Sequence, residues 1–173
     1  MSNITVVIGG SRSGKSLYAE KVATQLGDKR IYLATAEVVD SEMQKRVESH
    51  RKQREGLFYK TVEEAIDVAK ALSEIEDPND IVLIDCIGTW LGNLVFHQGI
   101  KTNYDEIEKF FTYLEKTEQQ IVIVTNEVGQ GLSPSDSLGR HYRDQCGFIN
   151  QRLAKIANRV FFVTAGIAQI IKG

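Results

Sequence analysis

Eight residues near the start of the chain, Gly9-Gly10-Ser11-Arg12-Ser13-Gly14-Lys15-Ser16, have the types and spacing to hold a polyphosphate. They match G-x-x-x-x-G-K-[ST], the pattern of a phosphate-binding P-loop. The glycines open backbone angles closed to other residues, so successive N–H groups can converge on phosphate oxygens. Lys15 places a point charge near the β and γ phosphates, and the Ser16 hydroxyl can reach Mg²⁺. The pattern therefore predicts binding of a nucleoside triphosphate with Mg²⁺ through Gly9 to Ser16, with Lys15 also a catalytic candidate.

Two further groups carry chemistry. Asp85 closes the apolar run Ile81-Val82-Leu83-Ile84, where a P-loop protein keeps the carboxylate that holds Mg²⁺ directly or through water. Asp40 to Arg54 is strongly polar, and on a helix Arg46, His50 and Arg54 recur at i, i+4 and i+8, so they share one face. Arg51 lies one position further round. Arginines grip phosphate oxygens in a fixed fork. Cationic neighbours also disfavour protonation of His50, leaving its imidazole free to act as a nucleophile. A solvated charged helix is the plainer reading of the same pattern.

The elements that position these groups follow from periodicity. Ile4–Ile8 reads as a buried strand feeding the glycine-rich turn, and a helical pattern follows from Lys15. Further strands are expected at Arg30–Thr35, Ile81–Ile84, Ile121–Thr125 and Arg159–Thr164, with an edge strand at Ile167–Ile171. Helices are expected at Asp40–Arg54, Thr61–Ser73, Trp90–Phe96, Tyr104–Glu115 and Leu138–Ala157. Asn126–Ser137 reads as a loop. Strands alternating with helices predict one α/β domain over residues 1–173, P-loop NTPase-like and RecA-like, with a mostly parallel sheet covered on both faces.

Composition narrows the partners. Lys+Arg (21) and Asp+Glu (23) nearly cancel, which argues against a nucleic-acid motor. The two cysteines, Cys86 and Cys146, have no metal-ligand spacing, and two thiols make no disulfide scaffold, so a reducing compartment is expected. No apolar run is long enough to span a bilayer and no leader precedes the first strand, so the expected location is the cytoplasm. A signalling GTPase is disfavoured because Thr125-Asn126-Glu127-Val128 lacks the lysine and aspartate of the base-reading Asn-Lys-x-Asp motif.

The ordered motifs resemble those of the bifunctional adenosylcobinamide kinase / adenosylcobinamide-phosphate guanylyltransferase family, over essentially the whole chain. They are Gly9–Ser16, Ala34-Thr35-Ala36, D-x-E-M-x-x-R-V-x-x-H-x-x-x-R over Asp40–Arg54, Thr61-x-Glu63, Asp85-Cys86 with Trp90-Leu91-x-Asn93, and NEVGQG at Asn126–Gly131. Pro134, Leu138, Arg140, Arg143-Asp144, Gly147 and Asn150-Gln151 complete the set. The resemblance implies two reactions, with ATP or GTP as phosphoryl donor for adenosylcobinamide in the first. In the second, a histidine that falls on His50 attacks the α-phosphate of GTP, and GMP passes on to adenosylcobinamide phosphate. It also implies a small-molecule corrinoid substrate and a homo-oligomer, of which a trimer sharing sites across interfaces is one form.

Beside the P-loop, Arg46, Arg54, Glu63 and Asp85 are the nucleotide-binding candidates, Glu63 for the guanine edge. Asn126 and Glu127 end a strand, where ligands gather in open α/β sheets. Tyr59, Gly88, Ser11, Ser133 and Tyr142 depart from the family's usual residues, Gly88 standing where a threonine is common. Two other readings stay open. One is a P-loop kinase of another small metabolite, with His50 dispensable. The other is a regulatory or assembly module that binds nucleotide and transfers nothing.

Overall fold

A computed structural model describes residues 3–37 and 41–173, without the side chains of Glu42, Met43, Arg46, His50 and Gln53. The strands are β1 (Asn3–Gly9), β2 (Arg30–Ala34), β3 (Lys60–Glu63), β4 (Ile81–Asp85), β5 (Gln120–Asn126), β6 (Arg159–Thr164) and β7 (Ile167–Lys172). The helices are α1 (Lys15–Leu26), α2 (Ser41–Gln53), α3 (Val68–Ser73), α4 (Ile87–Gln98), α5 (Asp105–Lys116) and α6 (Ser137–Ile156). The strands form one sheet in the order β3-β2-β4-β5-β1-β6-β7. Six run parallel, and β7 pairs antiparallel with β6 at the edge.

Both faces of the sheet are buried, as a parallel sheet requires. Successive side chains point to opposite faces. Thus Val6, Val82, Ile84, Ile121 and Ile123 pack under α3, α4, α5 and α6, whereas Val7, Leu83, Val122 and Val124 pack under α1. Trp90 anchors the first layer. It is fully buried, its Nε1–H donates to the Ile66 carbonyl at 2.7 Å, and its ring meets Phe110 edge-on at 5.1 Å. Truncating such a residue to alanine costs about 3–5 kcal/mol.

α2 is anchored differently. Among its described side chains none is buried and only Val47 is half-buried. Just beyond its end Arg54 is buried, with only 7% of its surface exposed.

The helix expected over Thr61–Ser73 is corrected to a strand, β3, followed by the short α3. Thr61-Val62 extends the sheet beside β2, with Tyr32 opposite Thr61 and Leu33 opposite Val62. The Glu64 carboxylate accepts the N–H groups of Ile66 and Asp67, and Asp67 then caps α3 by accepting from Lys70. Those turn bonds outweigh a helical spacing of apolar residues. α4 also begins earlier than the expected Trp90, because the Cys86 side chain caps it at Thr89. The expected edge strand is present and antiparallel.

Candidate functional site

The loop after β1 is built so that its backbone, not its side chains, faces inward. Gly9 is buried, and a Cβ there would stand 2.5 Å from Ser13 Oγ and 2.6 Å from the Val163 carbonyl, so only glycine fits. Gly14 adopts φ 90°, a left-handed conformation that glycine takes without strain. The loop is held from behind by the β6–β7 hairpin, where the Gly166 N–H donates to the Ser13 carbonyl at 2.8 Å. No side chain caps α1, in contrast to α3, α4 and α6, so its first N–H groups stay available to an anion.

Two observations fit phosphate in this cradle. Ser13 Oγ is buried with no hydrogen-bond partner among the described residues. Lys15 Nζ folds back over the loop and donates to the Gly10 carbonyl at 3.1 Å. Ser11 and Arg12 lie at the exposed tip, Arg12 at φ 55°, and Ser16 is half-buried in the first turn of α1.

Asp85 stands at the C-terminal end of β4, half-buried. Its Oδ2 accepts the Tyr32 hydroxyl at 2.7 Å. The Thr35 hydroxyl accepts from the Cys86 N–H at 2.9 Å and donates to the Cys86 carbonyl at 2.8 Å, which fixes the strand end. Burial pushes the Cys86 thiol up, the Asp85 charge adds to this, and Lys15 opposes it. Lys15 and the Asp85–Cys86 corner therefore share one electrostatic environment. One carboxylate, one hydroxyl at Ser16 and a phosphate cradle suit Mg²⁺, which keeps several waters and takes few protein ligands.

Beneath the cradle lies a cluster that motif reading missed. Glu20, four residues after Ser16 on α1, is only 6% exposed. Its carboxyl is pushed up to about 7, first by burial and then by Asp85, with Arg54 opposing. The Arg54 guanidinium stacks 3.7 Å from the centre of the Tyr32 ring. Phe58 meets the same ring edge-on at 5.2 Å. Burial and the Asp85 charge push the Tyr32 hydroxyl far up, so it stays a donor. A charged residue among Ala19, Val22 and Ala23 on the buried face of α1 was the available signal for Glu20.

The candidates on and beside α2 fall into two groups. Arg54 joins the Tyr32–Asp85 cluster, while Glu63, exposed at the end of β3, forms an ion pair with Arg51. The end of α2 is thereby tied both to β3 and, through Tyr32, to Asp85. Asp40 lies outside the described residues, and so do the side chains of Arg46 and His50, whose backbones lie on α2 as expected.

Several motif residues do structural work. Asn93 Nδ2 donates to the carbonyls of Thr35 and Ala65 at 2.7 and 3.0 Å. Arg140 holds the Pro134 and Ser135 carbonyls, and Arg143 pairs with Asp144. His97 pairs with Glu37 at 2.7 Å, and His141 with the Tyr104 hydroxyl at 2.9 Å.

Cradle, carboxylate strand and intervening β5 define a P-loop nucleotide-binding fold of the RecA-like kind. An ATPase from the type III secretion system of pathogenic bacteria shares it, with a TM-score of 0.56 at 10% identity over 98% of this chain and 58% of that one. Within that class the chain belongs to the cobinamide kinase / cobinamide phosphate guanyltransferase family, whose pattern matches residues 5–171. It is 36% identical to the bifunctional adenosylcobalamin biosynthesis protein CobU of Escherichia coli (strain K12), over 96% of this chain and 98% of that protein. It is 34% identical to the bifunctional adenosylcobalamin biosynthesis protein CobP of Pseudomonas aeruginosa, over 97% and 96%. Among the described residues no helix is long and apolar enough to cross a membrane.

Proposed function

We propose that this chain, as one domain, phosphorylates adenosylcobinamide and then guanylylates the product. The observation that carries the reading is the cradle of Gly9–Ser16, with Asp85 across β5 at the same edge of the sheet, within a chain of this family. In the first step the loop amides and Lys15 bind and orient the donor triphosphate, ATP or GTP. The substrate hydroxyl oxygen bonds to the γ-phosphorus, and the nucleoside diphosphate leaves. Ser16 and Asp85, the latter directly or through water, would hold Mg²⁺, which supplies positive charge against the phosphates when bound.

In the second step a ring nitrogen of His50 bonds to the α-phosphorus of GTP as the bond to pyrophosphate breaks. A phosphate oxygen of adenosylcobinamide phosphate then displaces His50 and takes up GMP. The covalent intermediate divides one exchange into two in-line displacements. Arg46 and Arg54 are assigned to the nucleotide phosphates, and Glu63 to the guanine N1–H and 2-amino group. Since Arg54 rests on Tyr32 and Arg51 on Glu63, this step requires α2 to exchange those contacts for nucleotide. The sparse burial of α2 supports such a motion. The buried, unpaired thiols Cys86 and Cys146 support a reducing cytoplasmic setting.

The test is labelling with GTP carrying a label on its α-phosphate, then denaturation and peptide mapping. An acid-labile, base-stable label on the peptide containing His50, absent from His50→Ala, is expected. Nucleotide binding that depends on Lys15, with no covalent label, would refute the guanylyl-transfer half.

A further inference from the structure

β5 runs between the strand that carries the phosphate cradle and the strand that carries Asp85. In register Gly9 lies beside Asn126, and Asp85 beside Val124. The next residue, Glu127, thus emerges at the C-terminal edge between the two, where ligands of open α/β sheets sit. Its N–H donates to the Gly9 carbonyl at 3.0 Å, so its backbone is bonded to the residue that opens the cradle.

The surroundings hold this residue in place. Thr125 Oγ1 donates to Asn150 Oδ1 at 2.7 Å, and Asn150 Nδ2 donates to the Asn126 carbonyl at 2.9 Å. Glu127 is half-buried, and its Oε1 accepts the Gly129 N–H. Among the described residues Oε2 has no hydrogen-bond partner. Asp85, the other carboxylate at this edge, accepts the Tyr32 hydroxyl and is the residue assigned above to Mg²⁺, while Glu20 is buried on α1.

We propose that Glu127 is the general base of the phosphoryl-transfer step, an inference that rests on the kinase reading above. As the substrate hydroxyl oxygen bonds to the γ-phosphorus, its proton passes to the Glu127 carboxylate and from there to solvent. The bond from the γ-phosphorus to the β–γ bridging oxygen breaks, and the nucleoside diphosphate leaves with that electron pair. The geometry suits the task. One carboxylate oxygen is held by the loop, the other is free to accept, and the backbone is locked to the cradle that positions the phosphorus. A positioned base of this kind contributes about 10²- to 10⁴-fold in rate.

Glu127→Gln in the full chain is the decisive variant, because its amide oxygen still accepts the Gly129 N–H. The expected result is a fall in kcat for adenosylcobinamide phosphorylation of about 100-fold or more. Nucleotide Kd, corrinoid KM and labelling by α-labelled GTP are expected to stay within about threefold of the wild type. Glu127→Ala, which also removes the loop contact, is expected to lose at least as much kcat. Phosphorylation by Glu127→Gln within about threefold of the wild type overturns the assignment. Parallel loss of nucleotide binding and labelling also overturns it, and makes Glu127 a support of the cradle. A wild-type protein that phosphorylates no corrinoid overturns the kinase reading itself, and this inference with it.

Discussion

Glu20 offers a sharp test of the electrostatics beneath the cradle. Its carboxyl has an ordinary value of 4.5 and is pushed up to about 7 in the folded chain, chiefly by burial. Folding therefore raises its affinity for a proton. The stabilisation this gives is fully present below 4.5 and is lost as pH rises through about 7. At about 1.4 kcal/mol per pH unit, that gap corresponds to about 3 kcal/mol. Glu20→Gln resembles the protonated acid at every pH and removes the dependence. Urea unfolding of metal- and nucleotide-free protein, at fixed protein concentration from pH 4.5 to 8.5, reads the difference. Groups remote from Glu20 are common to both proteins and cancel in the difference. The variant should match the wild type near pH 4.5 and exceed it by about 2–3 kcal/mol at pH 8. Curves that stay parallel within about 0.5 kcal/mol across that range would refute the assignment.

Further expectations concern the same corner of the fold. Tyr32→Phe keeps the ring under Arg54 and removes only the hydroxyl bonded to Asp85. It should cost about 1–3 kcal/mol in urea unfolding, whereas Tyr32→Leu, which also releases Arg54, should cost more. Gly9→Ala forces a Cβ to 2.5 Å from Ser13 Oγ, and Gly10→Ala meets nothing within 4 Å. Thermal melting should show about 1–3 kcal/mol lost in the first and under about 0.5 kcal/mol in the second. Restoring the family's usual threonine, Gly88→Thr, should destabilise by about 1–3 kcal/mol, because its Cβ would stand 2.6 Å from Asn126 Nδ2 and 3.1 Å from Asn126 Cβ.

What the sequence made legible was whatever one short stretch could specify. Gly9 to Ser16 announce their loop because turn, cradle and helix start lie within eight residues. Asp85 was legible as the polar end of a four-residue apolar run. β3 was not, because Thr61-Val62 owes its extended form to β2 beside it and to the turn bonds of Glu64, both outside any helical spacing rule. The Glu20–Tyr32–Arg54–Asp85 cluster joins residues from α1, β2, the end of α2 and β4. No local pattern links them, since the contacts exist only once the sheet has ordered its strands. The motif residues Asn93 and Arg140 received no chemical role from the sequence, and their hydrogen bonds go to backbone carbonyls that brace the site.

The sheet order explains how one chain can serve two phosphorus chemistries. β4 supplies a carboxylate, β1 the cradle, and β5 between them carries Glu127 to the same edge. A γ-phosphorus held there meets groups whose backbones are bonded to one another. Among the described residues, the ties of α2 to that frame are the Arg54 stack on Tyr32 just beyond its end and the Arg51 ion pair with Glu63. The exposed ion pair contributes about 0–1 kcal/mol and the cation–π stack about 2 kcal/mol, which binding of a charged nucleotide can offset. The attack at the α-phosphorus proposed for His50 thus places that step on an element whose described ties are weak. The Tyr32 hydroxyl on Asp85 links the proposed motion to the rigid site: with Arg54 off the ring, Glu20 would lose the cation that opposes its rise, beside the Asp85 carboxylate. Nucleotide binding by α2 and cation binding near Asp85 should consequently strengthen one another, each by the same factor. Isothermal titration of GTP at several Mg²⁺ concentrations, in the wild type and in Tyr32→Leu, measures that coupling. Equal coupling in both proteins would show that Tyr32 does not carry it.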